Sequence, residues 1–259
     1  MSGVTRGRRS KPATSTAPDA APAQQQERSH AVRAMFGRIA VRYDLVNDLM
    51  TLGRHRAWKR ATVAAAAPQG AEALDLGCGT GDIARALVRR GARSVVGGDF
   101  TQEMLDEAER LSREAGIPVT QLRFTYADAL DLPFADASFD CLTSGFLVRN
   151  VADRDLALRE MLRVLRPGGR VVCLEASRRD GLLGWLLHRG FGLAAPVVGW
   201  LVARDRDAYR YLPESAQEFA SAYELAAAFH AAGFERVQWK TYGLGLIALH
   251  RGWKPLARD

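Results

Sequence analysis

Three glycines at alternate positions, Gly77, Gly79 and Gly81, follow Asp75 and run into Asp82. Glycine lets the backbone turn sharply and lets a ligand lie against bare main chain, because no Cβ intervenes. A helix starting just behind such a loop offers its unpaired N–H groups to an anionic group. A second carboxylate, Asp99, ends the next apolar run, where a ribose diol could be held by two hydrogen bonds. The chemistry implied is the binding of a nucleoside-bearing ligand. A dinucleotide fingerprint would put its third glycine at position 82, which here is Asp82. That misplaced glycine argues against a nicotinamide enzyme, whereas Asp99 fits either kind of site.

The elements that must hold these residues can be read from periodicity. The apolar run Ala71 to Leu76 is expected to be a buried parallel strand, with a helix from Ile83 to Arg90 after the loop. Strand and helix then alternate, as parallel βαβ units do. Strands are expected at Ser94–Asp99, Leu122–Tyr126, Ser138–Phe146 and Arg170–Glu175. Helices are expected from Thr101, acting as a cap, and over Ala152–Leu165, the latter closed by Arg166-Pro167-Gly168-Gly169. A helix over Ala222–Ala232 and two strands, Phe234–Lys240 and Leu244–His250, expected as an antiparallel pair, complete the pattern. Before the sheet, Phe36, Ile39, Ala40 and Tyr43 share a helix face, and residues 31–70 read as a helical preamble or lid. Its last helix, Leu52 to Ala67, carries Arg54, His55, Arg56, Lys59 and Arg60 as a solvated basic side.

Composition bounds the function classes. The 259 residues carry a formal charge of +7 and 47% apolar residues, enough for one α/β domain with appendages. Arg6, Arg8, Arg9, Lys11 and Arg28 against Asp19 and Glu27 give residues 1–30 a charge of +3. The mild excess elsewhere does not read as nucleic-acid binding. Cys78, Cys141 and Cys173 match no metal spacing and read as buried reduced thiols, so no metal is expected. Residues 1–30 read as a disordered tail, with an organellar transit peptide as the alternative. Gly181 to Ala203 is long and apolar, but His188, Arg189 and Pro196 interrupt it. An apolar cap over 180–215 is favoured above a membrane span, with Trp185 and Trp200 suited to a greasy interface.

Read together, these blocks resemble a known family over nearly all of the chain beyond the tail. The stretch from Asp75 to Gly81 is similar to the loop of S-adenosyl-L-methionine (SAM) methyltransferases. The generic class I methyltransferase blocks are Gly77 to Asp82, Leu132-Pro133-Phe134 and Arg166-Pro167-Gly168-Gly169-Arg170. The more specific ones are Arg42-Tyr43-Asp44, Arg149-Asn150-Val151, Tyr209 to Ser215 and Ala248-Leu249-His250. In this order they resemble the ubiquinone/menaquinone biosynthesis C-methyltransferases. The resemblance implies a Rossmann-like α/β fold with a seven-stranded, mostly parallel sheet and helices on both faces.

It further implies SAM as methyl donor and a polyprenylated quinol as acceptor. Demethylmenaquinol is the expected acceptor, with 2-methoxy-6-polyprenyl-1,4-benzoquinol, another lipophilic phenol or an inactive scaffold role as alternatives. The cofactor residues implied are Asp75, Gly77, Gly79, Thr80 at the carboxylate end, Gly81, Asp99 at the ribose, and Asp128 with Ala129 at the adenine edge. Outside that resemblance Asp128 reads equally as a turn cap. Arg149 would stabilise a phenolate and Asn150 would hold its hydroxyl; without the resemblance Arg149 would read as a surface arginine. Tyr43, His55 and Tyr209 are weaker candidates for a proton path. The family usually shows Ser-Phe-Gly-Leu-Arg-Asn where this chain has Gly145-Phe146-Leu147-Val148-Arg149-Asn150, a departure bearing on the acceptor more than on SAM. The protein is expected in the cytoplasm, peripheral to the inner face of a bacterial membrane, with the mitochondrial matrix as the alternative; a homodimer is compatible with this.

Overall fold

The computed structural model describes residues 51–182 and 219–257, together with 37, 48, 49, 184, 189, 190, 215 and 217. The 1–30 tail, the Phe36–Tyr43 face of the lid, Tyr209 and nearly all of the 180–215 segment, with Trp185 and Trp200, lie outside the described residues.

The apolar run before the glycine loop is β1 (Glu72–Leu76). It is followed by β2 (Ser94–Asp99), β3 (Leu122–Tyr126), β4 (Phe139–Gly145), β5 (Leu165–Ala176), β6 (Glu235–Tyr242) and β7 (Ile247–Trp253). The sheet order is β3-β2-β1-β4-β5-β7-β6. Neighbours among β1 to β5 pair in parallel, and β7 runs antiparallel between β5 and β6. The expected seven-stranded, mostly parallel sheet and its closing antiparallel pair are therefore both present. Five helices accompany it among the described residues: α1 (Arg54–Ala66), α2 (Asp82–Arg89), α3 (Gln102–Glu114), α4 (Arg154–Val164) and α5 (Ala222–Ala231).

Strand periodicity puts a core on each face. Successive side chains point to opposite sides, and both sides here are apolar, as a parallel sheet covered twice requires. Leu74, Leu76, Val96, Leu142, Val171 and Cys173 face α4 and α5, where Leu158, Met161, Leu225 and Phe229 are buried. Ala73, Val95, Cys141, Val172 and Leu174 face α1 and α2, where Val63, Ala66, Ile83 and Leu87 are buried. All three cysteines are buried and unbridged. Burial pushes the Cys141 thiol up to about 12, which makes it a packing group and a poor nucleophile.

One element departs from expectation. Arg166-Pro167-Gly168-Gly169 does not close α4 but lies inside β5, where the pairing with β4 slips between Phe139 and Cys141. Pro167 cannot donate to a ladder and Gly168 takes a left-handed φ of 76°, so the strand bulges there instead of ending. The bulge is fastened from the other side: Gly168 N–H donates to Lys254 O at 3.0 Å, and Lys254 N–H donates to Gly169 O at 2.8 Å.

Candidate active site

The sheet order reverses between β1 and β4, and ligands of open α/β sheets bind outside the strand ends at such a point. A cleft opens there, bounded by Gly77 to Thr80, Asp82 and Ile83 after β1, Asp99 to Thr101 after β2, and Gly145 to Leu147 after β4. Lys59, Met104 and Asn150 complete its wall.

The glycine loop is built by its surroundings. The N–H groups of Gly77 and Cys78 both donate to Gly98 O, at 2.8 and 3.1 Å, holding the loop onto the end of β2. Gly77 and Gly79 have left-handed φ values of 66° and 53°. A Cβ on Gly77 would stand 2.9 Å from Leu147 Cβ, so position 77 is closed by packing. A Cβ on Gly79 would meet no atom within 4 Å. Gly79 therefore presents its bare main chain to the cleft. Gly81 closes the loop with its N–H on Cys78 O at 2.9 Å and directly precedes α2.

Asp99 stands at the mouth of this loop, nearly buried. Its Oδ2 accepts from Gly79 N–H and its Oδ1 from Thr101 N–H, both at 2.9 Å. Burial raises the carboxyl above its usual range while these donors pull it back. These bonds fix the carboxylate's orientation, and a carboxylate has about four lone-pair sites with which to accept from a diol as well. Thr80 is buried beside it, its carbonyl accepting from Arg85 Nη1 at 2.7 Å. Asp75 sits lower, at the end of β1, off the cleft wall. Its Oδ1 accepts from Thr143 Oγ1 at 2.7 Å, and burial pushes its carboxyl up to about 7.

Arg149 and Asn150 follow β4. Arg149 is not on the cleft wall: its Nη1 is bonded to Glu175 Oε1 in a buried ion pair at the end of β5. The backbone N–H of Arg149 also donates to Glu175 Oε2 at 3.3 Å, and its guanidinium lies 5.2 Å from the Phe146 ring centroid. Asn150 does face the cleft, its Nδ2 donating to Phe146 O at 2.9 Å. Phe146 has a left-handed φ of 61°, uncommon for an aromatic residue, and stands on the wall with Leu147. The departure noted at Gly145 and Leu147 therefore has a structural content. Gly145 leaves room for Ile83 Cδ1, which would stand 2.9 Å from a Cβ there, and Leu147 fills the space above Gly77.

Of the remaining expected residues, Asp128 and Ala129 lie after β3, off the wall of this cleft. Asp128 Oδ1 accepts from Leu130 N–H at 2.9 Å, the turn-capping arrangement, and Ala129 is buried in the core. His55 is buried on α1, its Nδ1 3.0 Å from Thr51 Oγ1. Two residues of this region were not expected as site residues. Lys59, read as part of a solvated basic face, is only 14% exposed; it lines the cleft and its ammonium is bonded to Asp82 Oδ2. Glu175, an apolar strand's last acid, holds Arg149. A carboxylate at the C-terminal end of a parallel strand was the available signal for Glu175; for Lys59 there was none within its own helix.

Similarity to known proteins agrees with this geometry. Residues 23–254 match the ubiE/COQ5 methyltransferase family. A relative from Paracoccus denitrificans, the ubiquinone/menaquinone biosynthesis C-methyltransferase UbiE, is 44% identical over 234 residues, covering 89% of this chain and 93% of that protein. Among solved structures, the [4+2]-cyclase SpnF superposes with a TM-score of 0.65 at 20% identity, covering 88% of this chain and 97% of its own. A SAM-dependent methyltransferase from Thermotoga maritima gives 0.59 at 22% identity, covering 85% and 99%. At those identities the two structures bear on the fold alone, and a cyclase on this fold is a reminder that folds do not dictate reactions.

Proposed function

The chain belongs to the ubiE/COQ5 methyltransferase family and is a SAM-dependent methyltransferase, and on that premise we propose that it methylates a ring carbon of demethylmenaquinol to give menaquinol. The observation that carries this reading is the composition of one cleft. Bare glycine main chain and the Asp99 carboxylate form one side of it, and Phe146, Leu147 and Asn150 the other. The first side fits a nucleoside and the second fits a flat, mostly apolar ring with a hydroxyl.

When bound, SAM supplies a methyl group already activated on a sulfonium. Asp99 would accept from both ribose hydroxyls, and Gly79 and Thr80 would face the donor with main-chain groups. Asp128 and Ala129 lie beyond the cleft wall after β3, where an adenine extending past Asp99 would meet them, the second Asp128 oxygen accepting from its amino group and the Ala129 N–H donating to its ring. A quinol carbon is a weak nucleophile until a neighbouring hydroxyl loses its proton. Asn150 would hold that hydroxyl, and Arg149, oriented by Glu175, would stabilise the phenolate from behind the wall. Transfer would form a C–C bond at the ring carbon at the expense of the donor's C–S bond, with the ring proton lost to solvent. In-line placement of the two reactants supplies much of the acceleration.

A polyprenyl acceptor partitions into lipid, so the enzyme would meet it at a membrane surface. No described helix is long and apolar enough to cross a membrane. Methyl-labelled SAM incubated with demethylmenaquinol, 2-methoxy-6-polyprenyl-1,4-benzoquinol and unprenylated phenols tests the assignment. Label is expected in menaquinol. Label confined to the benzoquinol product would move the enzyme to the ubiquinone branch, and label confined to the free phenols would overturn the quinol reading.

A further inference from the structure

Lys59 is the one cationic side chain among the described residues lining the cleft, and it comes from α1, outside the glycine loop and the strand ends. Its ammonium is bonded to Asp82 Oδ2, and the two side chains are 14% and 31% exposed. Asp82 is the first residue of α2, and its Oδ1 accepts from Ile83 N–H at 2.7 Å, which fixes the carboxylate's orientation. Both residues stand in the same wall as Gly79 and Thr80, and neither bonds the Asp99 carboxylate, which accepts from Gly79 N–H and suits a ribose. A partly desolvated ion pair on the wall of a ligand cleft is a preorganised dipole, and its electrostatics are stronger there than in water. Such a dipole best fits a ligand group that carries both charges in the reverse order.

We propose that Lys59 and Asp82 form the subsite for the amino-acid end of the donor, Lys59 taking its α-carboxylate and Asp82 its α-ammonium. The inference rests on the reading of this cleft as the donor site. The donor's zwitterion has its two charges on one carbon, matching a lysine and an aspartate already in contact. Binding then exchanges one contact between opposite charges for a closed set of four, with no net charge added at that end. Each new contact is a charge-assisted hydrogen bond, stronger than a neutral one. The bond from α1 to α2 also ties the helix preceding the sheet to the glycine loop, so donor binding would draw the two together.

Calorimetric titration of the full chain with three ligands tests this. SAM has both charges, decarboxylated SAM keeps the ammonium alone, and 5′-methylthioadenosine has neither. Lys59→Met is expected to weaken SAM by about 10- to 100-fold, the loss for one charge-assisted bond. It should leave decarboxylated SAM and methylthioadenosine within about twofold. Asp82→Asn is expected to weaken SAM and decarboxylated SAM but not methylthioadenosine. Lys59→Arg, which keeps the charge, should retain most of the SAM affinity and serves where Lys59→Met fails to fold. Equal losses for SAM and methylthioadenosine in Lys59→Met, or no loss for SAM, would overturn the subsite and leave the cleft assignment intact. If wild-type protein bound SAM while Asp99→Asn changed none of the three affinities, the cleft itself would be wrongly assigned, and the subsite would fall with it.

Discussion

Gly77 and Gly79 share a left-handed backbone but differ in what a side chain would meet, and that difference makes their substitution informative. At Gly79 a methyl group meets open space, so Gly79→Ala should cost only the backbone penalty, about 1 kcal/mol. The same methyl group would occupy the cleft, so SAM affinity should fall by tenfold or more while the urea midpoint moves little; equal SAM affinity would show that nothing binds against that main chain. Arg149 and Glu175 allow a similar separation. Glu175 is fully buried and Arg149 nearly so, and removing one partner of a buried pair strands the other charge. Glu175→Ala is therefore expected to lose about 3–5 kcal/mol in urea unfolding. Arg149→Ala should lower turnover strongly with SAM affinity nearly unchanged, because the guanidinium lies behind the acceptor side of the cleft. A matching loss of SAM affinity by calorimetry would refute that role.

At the scale of elements, the corner where β7 and β6 meet α5 is held by His250. Its ring is nearly parallel to those of Phe229 and Trp239, with centroids 5.9 and 6.2 Å away, and its Nε2 is 2.8 Å from Ala222 O at the start of α5. A carbonyl accepts only, so Nε2 carries the proton in the neutral ring. Burial lowers the His250 pKa below its ordinary 6.5. The unfolded chain then binds the proton first as pH falls, so this contribution is complete above about 6.5 and is lost below it. Urea midpoints should drop between pH 7 and 5 in the wild type and less steeply in His250→Gln; parallel slopes would exclude His250 as the cause. The neighbouring helix was legible because its signals are local. Ser221 and Glu224 form a reciprocal capping box immediately before the apolar run. α4 starts later than the expected Ala152 because Asp153 is its cap: the Asp153 Oδ1 accepts from Leu156 N–H at 2.8 Å. The Arg-Pro-Gly-Gly bulge was not legible for a different reason. Pro and Gly mark a break in regular pairing, but whether the chain turns away or bulges and continues depends on the partner strand and on Lys254, distant in sequence.

Across the whole molecule, what was legible of the candidate site is what one strand–loop–helix unit and the end of the next strand contain: the glycines, Thr80 and Asp99, with Asp75 behind the wall. What was not legible is contributed between units. Lys59 meets Asp82 across 23 positions, and Arg149 meets Glu175 across 26; no periodicity within a helix or strand records such pairings. Asp75 was legible as a residue, but its state was not, because burial is a property of the assembled sheet. Its carboxyl is pushed up to about 7 by desolvation, against the Thr143 hydroxyl bond that favours the charged form; Asp82 nearby raises it further and Lys59 lowers it. Between about 4, the unfolded value, and about 7 the folded protein holds a proton that the unfolded chain lacks. Stability contributed by Asp75 is therefore full below about 4 and is lost as pH rises through about 7, opposite in sign to His250. A ligand with net positive charge should push the same group toward its charged form. SAM carries a sulfonium and an ammonium against one carboxylate, so its binding near pH 7 should release part of the Asp75 proton. Calorimetry at pH 7 in two buffers of different ionisation enthalpy would read that release as a difference in apparent binding enthalpy. The difference should shrink in Asp75→Asn, which keeps the shape and an acceptor for Thr143 but has no proton to give. An undiminished difference in that variant would assign the proton elsewhere and remove Asp75 from the electrostatics of donor binding.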